Sequence, residues 1–89
     1  MNTFVVDKRL IRENVEKEMG ASLEEFLPKA DRPGECSIKT TERLDDSGWA
    51  GKWTENIRDA VRRAVPAAEC VCVKPLQFGK SVWYRVTVA

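Results

Sequence analysis

Three cysteines and fourteen acidic residues, with no histidine, carry most of the chemistry this chain could perform, and their spacing limits it sharply. Cys70-x-Cys72 places two thiols on the same face of a strand, and Cys36 on another expected strand could join them. A structural zinc site wants four Cys or His ligands, usually in Cys-x2-4-Cys pairs. Three thiols without histidine fall short of that, so the cysteines read as buried thiols serving as small hydrophobes. Their odd number suits a reducing compartment better than a disulfide framework. The absence of histidine also removes the commonest general base.

Gly79-Lys80-Ser81 has the ending of a phosphate-binding loop, but Lys74 stands where that motif needs its first glycine. The segment also runs between two strands instead of from a strand into a helix. A hairpin turn using Gly79 accounts for it better. The carboxylates form no catalytic pair. Asp45-Asp46 falls in an expected loop, and Glu55 and Asp59 have Arg58, Arg62 and Arg63 within helical reach for mutual pairing. No cofactor site is expected.

The sharpest positive feature is basic. Residues 1–50 carry a net −3 and residues 51–89 a net +4, which together give the overall +1. Arg58 and Arg62 on an expected helix, with Lys80, Trp83 and Arg85 on an expected hairpin, are the candidate contact residues. Cations beside an exposed aromatic such as Trp83 or Phe78 suit phosphate neutralisation plus base stacking. Arg and Trp equally anchor protein interfaces.

These side chains need a scaffold, and 89 residues suffice for one small domain spanning 1–89. At 43% hydrophobic and 33% charged the chain is neither disordered nor membrane-embedded. No apolar run approaches the roughly 20 residues that span a bilayer. Met1 to Val6 is too short and too soon followed by charge for a signal peptide, so a cytoplasmic location is expected.

Phe4-Val5-Val6 reads as a short strand or packed arm. Asp7 is the expected N-cap of a helix over 8–19, with Ile11, Val15 and Met19 on one face and Gly20 as its stop. Ser22 and Glu25 match a capping box and predict a short second helix with Leu23, Phe26 and Leu27 inward, cut at Pro28. Asp31-Arg32-Pro33-Gly34 is a turn. Cys36, Ile38 and Thr40 alternate with polar neighbours as a half-buried strand does. Asp45-Asp46-Ser47-Gly48 is the next break.

Trp49, Trp53, Ile57, Val61 and Val65 recur at helical spacing, with Ala60 and Ala64 beside them. Gly48 and Gly51 weaken the first turns, so the stable helix is expected from Trp53-Thr54 until Pro66. Cys70-Val71-Cys72-Val73 is apolar throughout and predicts a strand covered on both faces. A turn over Pro75-Leu76-Gln77-Phe78-Gly79-Lys80 follows. Val82, Tyr84, Val86 and Val88 should then face the core, with Trp83 and Arg85 half-exposed opposite. The sequence shows no internal repeat.

The fold expected is a small α+β sandwich of order (β)ααβαββ, with a three-stranded antiparallel sheet, a C-terminal hairpin and helices on one face. A winged-helix-like arrangement is the alternative, weakened because residues 41–48 offer only Leu44 to bury. The function expected by elimination is that of a non-enzymatic binding protein that engages a macromolecular partner and blocks or regulates it. Inhibitors of host machinery in phages and mobile elements are commonly of this size. The expected partner is a protein or a protein–nucleic-acid complex, and direct nucleic-acid binding is the alternative. A final strand at a sheet edge would also invite a homodimer.

Overall fold

The computed structural model describes residues 6–43 and 51–89. The expectations for Phe4 and Val5, for Leu44 and the 45–48 break, and for Trp49 lie outside these residues. Among the described residues the element order is α1 (Lys8–Met19), β1 (Glu25–Pro28), β2 (Glu35–Arg43), α2 (Thr54–Ala64), β3 (Val71–Phe78) and β4 (Ser81–Val88).

Helix α1 forms as its sequence requires. The Asp7 carboxylate accepts the Arg9 N–H at 3.0 Å, Gly20 closes the last turn by donating to Glu16, and Ile11 and Val15 are buried. Helix α2 starts at Thr54, as the glycines upstream imply, and buries Ile57, Ala60 and Val61. An Arg63–Glu18 ion pair of 2.9 Å ties the two helices together outside the core.

The strands make one antiparallel sheet in the order β1-β2-β4-β3, with four strands and not three. The extra strand is β1, where the sequence predicted a helix. The Ser22–Glu25 capping box does not form. The Leu23 N–H instead donates to the Glu16 carboxylate at 2.8 Å, and Phe26 pairs with Ile38 across the ladder. A capping signal is worth about 1 kcal/mol, which one strand's pairing and the packing of Phe26 against the core outweigh.

The turn expected over 75–80 is also shorter than its composition suggests. Strand β3 runs through Pro75 to Phe78, and only Gly79-Lys80 turn the chain. Cys70 and Ala89 exchange backbone hydrogen bonds, so the alternate residue Pro75 points its ring nitrogen away from β4. On an edge strand that missing N–H leaves no ladder bond unmade. Gly79, at φ 62°, occupies the first central turn position, where a II′ hairpin takes glycine.

Strand β4 lies inside the sheet between β2 and β3, which removes the expectation that the final strand is an open edge. Among the described residues the winged-helix arrangement is likewise absent, because no second helix directly precedes α2 and the β3–β4 hairpin joins β1 and β2 in one four-stranded sheet.

Both helices cover one face. Cys36, Ile38, Thr40, Val82, Tyr84, Val86 and Val88 point to them and are buried with Ile11, Val15, Ile57, Ala60 and Val61. Tyr84 sits at the centre. Its hydroxyl donates to Glu42 at 2.6 Å and accepts the Trp53 N–H at 3.0 Å, pinning the start of α2 to the sheet. Burial, then the Glu42 hydrogen bond, raises the Tyr84 phenol above its ordinary pKa.

The topology contains a repeat that the sequence hides. The order α-β-β occurs twice, and β2 meets β4 antiparallel with Ile38 opposite Tyr84. Lys8 to Thr54 and Glu35 to Ser81 are equal steps along the chain, so Ile38 and Tyr84 are equivalents facing one another. Ile11-Arg12-Glu13-x-Val15 matches Ile57-Arg58-Asp59-x-Val61, with Ile and Val buried in both helices.

An uncovered sheet face as candidate binding site

In a strand, alternate side chains leave on opposite faces. Since β2 and β4 bury one set against the helices, Glu35, Ser37, Lys39, Trp83, Arg85 and Thr87 must leave on the other. The register adds Leu27 from β1 and Cys72, Lys74, Leu76 and Phe78 from β3. Neither helix lies over this side, and among the described residues no element packs on it.

The side chains fall into rows across the sheet. One row reads Glu25, Lys39, Trp83, Leu76, and its neighbour reads Leu27, Ser37, Arg85, Lys74. The repeat relates the two: Leu27 corresponds to Leu76 and Lys39 to Arg85. Each row therefore ends in one leucine and one charged residue, Glu25 or Lys74, with Lys39, Trp83, Ser37 and Arg85 on the two central strands. An open groove of about 350 Å³ crosses all four strands, lined by Leu27, Ser37, Leu76, Phe78, Trp83 and Arg85. Phe78 is 63% exposed and Leu27 49%, an uncommon outlay of apolar side chains for a sheet with a complete core on its other face.

The charges here are only partly matched. Lys39 pairs with Glu24 at 3.5 Å and lies 5.9 Å from the Trp83 ring centroid, a cation–π contact. Arg85 reaches Glu35 at 3.9 Å, and that carboxylate is shared with Arg32 at 3.5 Å. Lys74, exposed and opposite Arg85, makes no ion pair among the described residues.

The five residues singled out in the sequence divide between surfaces. Trp83 and Arg85 stand together on the uncovered face, and Lys80 is exposed at the hairpin tip beside it. Arg58 and Arg62 are on α2, across the sheet from them. Arg58 is also half-buried, its Nε enclosed without a hydrogen bond among the described residues. Leu27, Ser37, Lys39 and Leu76 were missed. The signal for Leu76 and Phe78 was their period-two spacing from Lys74, masked by Pro75 between them.

The thiols do not converge. Strand β4 separates β2 from β3, Cys36 is buried on the helix side, and Cys70 and Cys72 are exposed, with Cys72 on the uncovered face. The strand expected to be covered on both faces is covered on one. Burial pushes the Cys36 thiol up to about 11, which leaves it an inert apolar group at neutral pH. Among the described residues no cluster of His, Cys, Asp or Glu could hold a metal, and no helix is long and apolar enough to cross a membrane.

No protein-family model matches the chain, and neither the curated proteins nor the solved structures compared with it give a match.

Proposed function

We propose that this chain is a small non-enzymatic binding protein whose uncovered sheet face engages a macromolecular partner and so blocks or regulates it. The observation that carries the reading is the composition of that face. Trp83, Leu76, Phe78 and Leu27 surround incompletely matched cations on a four-stranded surface opposite the core. Aromatic and Arg side chains together are the usual anchors of a binding surface. A rigid sheet presents them with little ordering cost on association.

The experiment is cross-linked capture from the native host, with and without nuclease, using the wild type, Trp83→Ala, Arg85→Glu and the helix-side control Arg62→Glu. A specific complex lost with the first two variants and kept with the third supports the reading. A complex indifferent to Trp83→Ala and Arg85→Glu, or no complex with folded wild type, overturns it.

A further inference from the structure

We infer that the uncovered face is a platform for single-stranded nucleic acid; the inference rests on the binding reading above and names the chemistry of the partner. Lys74 and Arg85 are directly opposite on adjacent strands, where like charges repel. Lys74 has no acidic partner among the described residues, and Arg85 shares its one distant carboxylate with Arg32. An anionic group between the two cations removes the repulsion. A backbone phosphodiester is one such anion.

The rings supply the second half of the argument. Trp83 is two residues before Arg85 on the same face, a step of roughly 6.7 Å along a strand. Phe78 projects at the end of β3, next to the row that holds Trp83 and Leu76. Phe78, then Trp83, then Arg85 with Lys74 thus occupy successive rows, two rings followed by two cations, on a face crossed by an open groove. A chain that carries anions on its backbone and flat bases beside them satisfies both sets, the phosphates on Lys74 and Arg85 and the bases on Trp83 and Phe78. A duplex keeps its bases stacked inside and leaves these rings unused. An acidic peptide meets the cations but offers the rings no regular series of flat partners.

The test is fluorescence anisotropy of a short labelled oligothymidylate and oligouridylate with the full chain, titrated at low salt and again as salt rises. Binding is expected, with a log–log salt slope of about −1.4, the value for two phosphates neutralised on a single strand. Trp83→Ala is expected to weaken binding roughly tenfold, the loss of one stacked base, and Trp83→Phe to restore most of it. Lys74→Glu abolishes binding, and Arg62→Glu leaves it unchanged. Circular dichroism confirms that each variant is folded.

Four outcomes overturn the inference: no binding by folded wild type at low salt, tighter binding to duplex than to single strand, indifference to Lys74→Glu and Trp83→Ala, or equal competition by polyglutamate. If oligonucleotides fail but a nuclease-resistant complex is still captured through Trp83, the broader binding reading survives with a protein as partner.

Discussion

Lys74 and Arg85 face each other across β3 and β4 on the side of the sheet that no helix covers. Directly opposed like charges cost a strand pair roughly 0.2–1 kcal/mol. The placement therefore works against stability and toward an anionic ligand. Lys74→Glu converts repulsion into a cross-strand ion pair, so it should stabilise the fold by about 0.5 kcal/mol while weakening binding. Urea denaturation beside a binding titration checks both signs at once; a destabilised variant would show that Lys74 supports the fold.

Tyr84 supplies the clearest stability prediction. Its hydroxyl serves Glu42 and the Trp53 N–H together, so Tyr84→Phe takes the acceptor from the Trp53 N–H and one donor from Glu42. Removing one partner of a buried hydrogen bond costs about 1–3 kcal/mol. Chemical denaturation should show a loss in that range, with protection from hydrogen exchange falling first at the start of α2.

Cys36 predicts an alkaline limit. Its thiol is pushed from 9.0 to about 11 by burial, offset in part by Lys8 and raised further by Glu35. The unfolded chain therefore releases this proton before the folded one does. The stability linked to the thiol is complete below pH 9.0 and is lost as pH rises toward about 11. The slope there is about 1.4 kcal/mol per pH unit. Cys36→Val should flatten the thiol's share of that slope between these values while leaving the neutral-pH fold intact. An unchanged pH profile would contradict the burial of this thiol.

Gly34 is held against the end of β4. Val88 donates its N–H to the Gly34 carbonyl at 2.7 Å, and a Cβ at residue 34 would collide with the Val88 carbonyl oxygen. Gly34→Ala should destabilise by about 2 kcal/mol or more, because backbone must move to admit the methyl group. Thermal melting checks it. By contrast Phe78→Ser should stay within about 0.5 kcal/mol of wild type, as expected for an exposed side chain that serves a surface and not the core.

Much of the fold was legible. Asp7, Ile11, Val15 and Gly20 mark α1, the alternations Cys36-Ile38-Thr40 and Val82-Tyr84-Val86-Val88 mark the two central strands, and Gly51 delays α2. The edge strands were legible only in part. Cys70-Val71-Cys72-Val73 marks the start of β3 while Pro75 hides its second half, and β1, with a capping box and a proline, reads as a helix. Their full extent is set by pairing with β2 and β4, which local residue preferences do not register. The repeat was hidden for a related reason: Ile38 and Tyr84 are equivalent in position and share little else.

The same dependence explains the site. Alternation placed Trp83 and Arg85 on one face correctly, but grouping them with Arg58 and Arg62 required the helix and the strand to share a surface. The sheet separates them. Only the register of β1 and β3 could bring Leu27, Lys74, Leu76 and Phe78 beside Trp83.

The most direct test of the account is a nuclear magnetic resonance titration of the isotopically labelled chain with oligothymidylate, followed at backbone amides and at the Trp83 indole. The account predicts shifts confined to the uncovered face, at Leu27, Ser37, Lys39, Lys74, Leu76, Phe78, Trp83 and Arg85, with α1 and α2 silent. Shifts centred on Arg58 and Arg62, or none at all, would contradict it.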